Sequence, residues 1–316
     1  MAGKTLVFTV CTAEQYPFAQ VLADSLPDTV TFKTGVVGEI SAAHAQVVRL
    51  EQLPFEALGQ AQKRYDATAL TAASKPFFAD YFLREEGFEN VIYFDPTTRI
   101  IGEFGDILKK VDTADILLTP RLTRKFGKSA YGDEKMFLNT GMYDGGFWAL
   151  RKTPNTFRFL KWWQQRLADR AYFDVCHAMN HDQLWLNYVP IFFENIFVNK
   201  NIGWNTGLQN LHERTITFQN RKWLVNQTEA LVFFNFRECL TPEKDLKNVI
   251  QSSGGAILVK DYFEKLKKYS PTVPPIFSLR NALTPSVPIW KQELKKRLKA
   301  IVDTIAYFPI YHKISK

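Results

Sequence analysis

Four short polar constellations in this chain carry side chains able to do chemistry on a ligand. Asp95-Pro96-Thr97-Thr98 directly follows the apolar run Asn90–Phe94, so a carboxylate stands where a buried strand would end. Asp144-Gly145-Gly146 joins a carboxylate to two residues without side chains, which reads as a turn where backbone comes close to a ligand. Asp182-Gln183 stands before the apolar run Leu184–Val189, and Thr12-Ala13-Glu14-Gln15-Tyr16 forms a polar loop after the first apolar run. Each has a plainer reading. Asp95 can cap the turn before Pro96, Asp144–Gly146 can be a tight hairpin, and Asp182 can be a helix N-cap.

Other chemistries are excluded by pattern. No G-x-G-x-x-G follows the first apolar run and no Walker A sequence occurs. His177, His181 and His212 lack HxxxH or HExxH spacing, which argues against a zinc site. Cys11, Cys176 and Cys239 are far apart and odd in number, so neither a zinc cluster nor a disulfide framework is indicated. A reducing, cytoplasmic setting is the expectation. The run Leu6–Val10 is too short for a signal peptide or a spanning helix, and no targeting segment is expected.

The elements that must position these residues alternate in type. Strands are expected over 5–10, 29–37, 45–50, 90–94 and 114–118, and helices over 17–26, 54–62, 67–83 and 104–111. The helix over 67–83 is expected to be broken or started at Lys75-Pro76. Alternation of this kind predicts a doubly wound, mostly parallel α/β sheet, which places ligands at the carboxyl ends of its strands. Thr12–Tyr16 and Asp95–Arg99 fall there. Residues 120–136, with Arg121, Arg124, Lys125 and Lys128, suit a loop at the rim. An aromatic helix surrounds FRFLKWWQQRL, where adjacent Trp162 and Trp163 cannot both face one pocket, so at least one packs in the core.

The order of segments is more telling than any one of them. Tyr93-Phe94-Asp95-Pro96-Thr97, Tyr143-Asp144-Gly145-Gly146-Phe147, Trp162-Trp163, Asp182-Gln183-Leu184-Trp185, Trp204-Asn205, Asn210-Leu211-His212-Glu213-Arg214 and Phe233-Phe234-Asn235-Phe236 follow one another across residues 5–240. This resembles bacterial GT-A-fold glycosyltransferases of cell-surface polysaccharide biosynthesis. The resemblance implies a GT-A α/β domain that moves a sugar from a nucleotide-diphosphate donor to a saccharide or lipid-linked acceptor. It implies that Thr12, Ala13, Glu14 and Tyr16 lie near the nucleotide, and Lys75, Asp95, Thr97 and Arg214 near the donor diphosphate. Gly145, Gly146 and Gln183 would face the sugar, and Asp182 and Asp144 would be the catalytic carboxylates on the acceptor side.

The resemblance also implies a divalent cation, Mn2+ or Mg2+, held by a DxD motif and a late histidine. Here Thr97 replaces the second Asp and Asn235 the histidine, leaving Asp95 as the one carboxylate of the set Asp95, Thr97, Asn235. Such a set would bind a hard cation weakly. Lys75, Arg99, Arg214 and Arg237 are the basic residues that could stabilise a diphosphate instead. The degenerate set also motivates an alternative, a catalytically silent nucleotide-sugar-binding or scaffold protein.

Charge is divided unevenly. Residues 260–316 hold 12 Lys/Arg and 4 Asp/Glu, which accounts for the whole chain's net charge of +8. The remaining 259 residues are balanced, so no nucleic-acid partner is expected on the main fold. Trp290, Leu294, Leu298, Ile301, Val302 and Ile305 recur at helical spacing among Lys291, Lys295, Lys296, Arg297 and Lys299. That basic amphipathic helix fits either peripheral attachment to an anionic membrane face or docking on the main domain. The expected organisation is a domain over 1–258, a proline-containing linker over 271–288, and a basic extension over 259–316.

Overall fold

The computed structural model describes residues 4–40, 46–125, 134–174, 177–240 and 255–270, with positions 290, 294, 297, 298, 301, 302 and 304. Met1–Val273 form one compact unit and Pro274–Lys316 a second.

The first unit is a mixed α/β fold around a seven-stranded sheet. Its strands are β1 (Thr5–Thr12), β2 (Thr31–Val37), β3 (Val47–Arg49), β4 (Asn90–Phe94), β6 (Ile116–Pro120), β7 (Tyr143–Arg151) and β8 (Ile196–Val198). Their order is β8-β6-β7-β4-β1-β2-β3. β1 runs parallel to β2 and β4, and β8 parallel to β6, whereas β7 is antiparallel to both β4 and β6. The sheet is therefore mixed. Along each strand alternate side chains enter two cores, because period-two pleating sends neighbours to opposite faces. Leu6, Phe8, Tyr93 and Trp148 pack with helices α2 (Glu56–Arg64), α3 (Ala67–Arg84) and α6 (Pro154–Leu167). Val7, Ile92, Phe94 and Phe147 pack on the other side with α1 (Tyr16–Ala23) and α4 (Gly105–Val111), and the short helix α5 (Lys135–Thr140) precedes β7.

A second, three-stranded sheet sits beside the end of β4. It joins β5 (Thr98–Ile100), β9 (Thr206–Gly207) and β10 (Phe233–Asn235), with β10 in the middle. Asn235 pairs with Thr98 and Phe233 with Ile100. The pairing fixes the segment after β4 against a segment nearly 140 residues later in the chain.

Helix α3 is continuous through Pro76, contrary to the expected break. Asp66 Oδ1 caps its start by accepting from Ala69 N at 2.8 Å, and nearly every residue from Ala69 to Leu83 is buried. Tertiary packing offsets the hydrogen bond that proline removes. Trp163 is fully buried against Trp148 and Phe159, while Trp162 is partly buried beside Phe192 and Phe193.

The expected domain boundary at 258/259 falls inside helix α7 (Ala256–Lys267). Leu258, Tyr262 and Leu266 recur every four residues and bury on the first unit, where Tyr262 stacks on Phe236 with centroids 4.0 Å apart. In the second unit Trp290, Leu294, Arg297, Leu298, Ile301, Val302 and Thr304 are helical, and its described apolar side chains are exposed. The expected linker, Lys128, Lys291, Lys295, Lys296, Lys299 and Ile305 lie outside the described residues. Among the described residues no helix is long and apolar enough to cross a membrane.

One close approach tests the packing of the loops around β9. A Cβ on Gly203 would collide with the carbonyl oxygen of Ala230, and Val232 N donates to Gly203 O at 2.8 Å. Gly203→Ala is expected to cost about 2–3 kcal/mol, since backbone cannot swing aside as a flexible side chain would. A urea midpoint equal to that of the native chain would contradict this contact.

Candidate active site

Asp95, the first residue beyond β4, is fully buried, and its backbone N–H donates to Gly146 O at 2.7 Å. Its Oδ1 accepts from Thr97 N at 3.0 Å and lies 2.5 Å from Thr97 Oγ1. The same hydroxyl is 2.9 Å from Asn235 Oδ1, so its single proton is shared between two acceptors. Asn235 Oδ1 also accepts from Arg237 N at 2.9 Å. Asp95 Oδ2 takes no hydrogen bond of ordinary geometry but is in ion-pair contact with Arg237 Nη2. Asp95 pushes the Arg237 guanidinium above its already high value.

The three residues of the expected metal set are thus brought together, yet they do not fit Mn2+ or Mg2+. Those ions need several oxygen ligands, at least one of them anionic and open. Here the sole carboxylate of the set is engaged on one oxygen by Thr97 and on the other by a guanidinium. Among the described residues no cluster of three His, Cys, Asp or Glu could hold a metal.

The neighbouring wall is built from β7 and the 180s. Asp144, Gly145 and Gly146 are strand residues, not the expected turn. The glycines answer a different requirement. A Cβ on Gly145 would lie 3.1 Å from Asp182 Oδ2, and one on Gly146 would lie 2.8 Å from Asp144 Oδ1 and 3.1 Å from Asn235 Nδ2. Both positions lie where the Asp95, Asp144 and Asp182 groups converge. Asp144 Oδ1 accepts from Gly146 N at 2.6 Å and its Oδ2 from Gln209 Nε2 at 3.3 Å.

Asp182 is not a helix cap. The 3-10 segment Leu184–Tyr188 follows it with Gln183 in the cap position and no side-chain cap bond. Its carboxylate reaches 107 residues back to Lys75, whose Nζ lies 2.7 Å from Oδ2 and also donates to Gly145 O at 3.1 Å. Lys75 sits over the buried Tyr93 ring at 4.9 Å. Trp163 Nε1 donates to Asp182 O at 3.2 Å. Gln183 bridges Gly145 N and Thr140 O.

Lys75, Asp95, Thr97, Asp144, Gly145, Gly146, Asp182, Gln183 and Asn235 therefore form one site at the carboxyl end of β4. Thr12 ends the neighbouring strand β1, Ala13 and the exposed Glu14 lie in the 3-10 turn that follows, and Tyr16 opens α1. Arg214 is not brought to this site through its guanidinium. It is buried, and Nη1 lies 3.0 Å from Ile202 O and 2.9 Å from Trp204 O. Burial lowers its pKa to about 10. Arg99 is paired with Asp261. Gln209 as the partner of Asp144 had no signal in the sequence. Cys11 and Cys239 are buried free thiols, both pushed up by burial.

His181, next to Asp182, adopts φ 46°, a left-handed conformation rare for a residue with a side chain. Its Nδ1 is 2.7 Å from Ala171 O, and since a carbonyl only accepts, Nδ1 carries the proton. Partial burial holds His181 below the ordinary histidine value. A depressed histidine adds nothing to stability changes above that value. As pH falls through about 6.5 the unfolded chain takes up protons the folded one refuses, so stability drops. The urea midpoint is expected to fall between pH 7.5 and 5.5, with His181→Asn reducing the slope. A midpoint flat over that window would contradict the partial burial of the His181 ring.

No protein-family model matches the chain, and no curated protein matches it in sequence. In three dimensions it is similar to solved structures described as glycosyltransferases. The galactosyltransferase LgtC in complex with donor and acceptor sugar analogues matches at TM-score 0.46 and 11% identity, over 91% of this chain and 99% of that one. A glycosyltransferase involved in glycosylating the major capsid of PBCV-1 matches at TM-score 0.44 and 8% identity, over 78% and 98%. Mouse xyloside xylosyltransferase 1 matches at TM-score 0.43 and 13% identity, over 76% and 99%.

Proposed function

We propose that this chain is a GT-A-type glycosyltransferase, transferring a sugar from a nucleoside-diphosphate donor to a saccharide or lipid-linked acceptor in surface glycan synthesis. The observation that carries this reading is the convergence of three motifs, distant in sequence, at one carboxyl strand end. They are Asp95–Thr97 with Asn235, Asp144–Gly146, and Asp182–Gln183 with Lys75. In this reading the Asp95 side meets the diphosphate and Thr12–Tyr16 the nucleoside. The two glycines make room for the Asp182, Asp144 and Asn235 side chains beside the sugar, and Asp144 and Asp182 face the acceptor. The acceptor oxygen bonds to the anomeric carbon as the bond to the diphosphate oxygen breaks. The hydroxyl proton leaves to a base, and the nucleoside diphosphate departs with the electron pair.

Calorimetry with UDP, GDP, CDP and dTDP, followed by mass-spectrometric detection of glycosylated acceptors from the matching nucleotide sugars, tests it. Micromolar binding of one nucleotide with product formation is expected. Binding without turnover would favour the silent nucleotide-sugar-binding reading, for which the internally satisfied Asp95–Thr97–Asn235 set speaks. The exposed apolar side chains of Trp290, Leu294, Leu298 and Ile301 support peripheral attachment through the basic C-terminal helix. Co-flotation with anionic, but not neutral, vesicles is the expected result.

A further inference from the structure

Four basic side chains were placed by the sequence near the proposed diphosphate position, and the fold separates them. The Lys75 side chain is 6% exposed and committed to Asp182 and Gly145 O. The Arg214 side chain is 1% exposed and spent on backbone carbonyls and Glu213. Arg99 is 17% exposed and paired with Asp261 on helix α7. Arg237 differs. One edge of its guanidinium rests on the fully buried Asp95, yet 59% of its side chain is open to solvent.

The backbone fixes that placement. Asn235 ends β10, pairs with Thr98, and takes the Arg237 N–H on its side-chain oxygen, while Phe236 N donates to Thr97 O at 3.0 Å. Residue 237 is thereby held against the Asp95–Thr97 turn from both its own N–H and the preceding one. Its ion pair with Asp95 places its guanidinium against the same cluster.

We infer that Arg237 is the built-in cation of this site, binding the donor diphosphate in place of a divalent metal; the inference rests on the function proposed above. The charges agree with this. Asp95 is the one carboxylate of the Asp95–Thr97–Asn235 set, and a single guanidinium neutralises it, whereas a divalent ion would have to displace that guanidinium first. A guanidinium carries five N–H donors in a planar fork, which matches phosphate oxygens two at a time. With one edge on Asp95, the remaining donors are positioned for the oxygens of the leaving diphosphate. As the bond from anomeric carbon to diphosphate oxygen breaks, the electron pair stays on that oxygen, and Arg237 stabilises the added charge without accepting a proton.

The test is nucleotide titration of the full chain in EDTA and again in millimolar Mn2+, using UDP, GDP, CDP and dTDP, with Arg237→Gln and Arg237→Lys beside the native chain. The nucleotide that binds is expected to do so with affinities within about threefold in the two buffers. Arg237→Gln is expected to weaken it roughly 10- to 100-fold, the range for losing charge-assisted hydrogen bonds. Arg237→Lys, which keeps the charge and loses the fork, is expected to fall between. Thermal melting confirms that each variant is folded. Should Arg237→Gln not fold, Arg237→Lys carries the comparison, and native affinity in it would overturn the inference. Affinity that appears only with Mn2+, or that survives intact in folded Arg237→Gln, would overturn it while leaving the glycosyltransferase reading standing. Failure of all four nucleotides in both buffers would overturn that reading and this one with it.

Discussion

Lys75→Met is expected to destabilise the fold by about 3–5 kcal/mol and to abolish turnover. The Lys75 and Asp182 side chains are 6% and 5% exposed and 2.7 Å apart. Removing the ammonium leaves an ionised carboxylate in the interior beside Gly145, and strips Gly145 O of a donor. The desolvation of that carboxylate, no longer offset, is the dominant cost. Replacing both partners by apolar residues removes the buried charge altogether, so Lys75→Met/Asp182→Leu is expected to recover most of the lost stability. It is not expected to recover turnover, because the carboxylate proposed to face the acceptor is gone. Urea denaturation of the native chain, both single variants and the double variant gives a coupling energy directly. A coupling near zero would mean that the pair is solvated and not buried against Gly145.

What could be read in the sequence, and what could not, divides along chain distance. Asn90–Phe94 announces itself as a strand because five buried residues run unbroken into an Asp-Pro, and strand and loop fall where expected. The same holds for α6, whose spacing of Phe159, Leu160, Trp163 and Leu167 gives an apolar stripe. Gly145-Gly146 was half legible. Two glycines signal close approach of other atoms, which Asp182 and Asp144 supply, but turn and strand both satisfy that signal. Only the pairing of β7 between β4 and β6 decides it. Asp182 reads as a site residue from the order of motifs and, locally, as a cap, because Asp before an apolar run often is one. The left-handed His181 just before it and the lysine 107 residues away redirect the side chain. Arg237 was visible as one of four basic candidates. No local pattern tells an exposed guanidinium from one buried in carbonyls, since that depends on how β10 pairs with β5.

Arg214 shows the other outcome for a residue that the sequence placed at the ligand. Arg214→Met is expected to cost about 3–5 kcal/mol and to weaken nucleotide binding through the fold. Its guanidinium gathers the carbonyls of Ile202, Trp204 and Asn205, and Nε lies 3.3 Å from Glu213 Oε1. Glu213 in turn accepts from Thr123 N, Thr123 Oγ1 and Arg124 N, which tethers the segment after β6. Without Arg214, the Trp204 carbonyl loses its donor, those of Ile202 and Asn205 keep only Thr206 Oγ1 and Asn210 Nδ2, and a nearly buried carboxylate loses its counter-charge. The segment it holds leads into β9, where Thr206 and Gly207 pair with Phe234 and Asn235. Loosening 202–206 therefore disturbs the strand that sets Asn235 and Arg237. Arg214→Lys is expected to recover only part of the stability, because one ammonium in place of Nη1 gives up the separate Nε contact to Glu213. The contrast with Arg237 separates architecture from ligand contact. Arg214→Met should lower the urea midpoint and nucleotide affinity together, whereas Arg237→Gln should lower affinity out of proportion to its midpoint. Native stability in Arg214→Met with lost binding would instead put its guanidinium on the ligand.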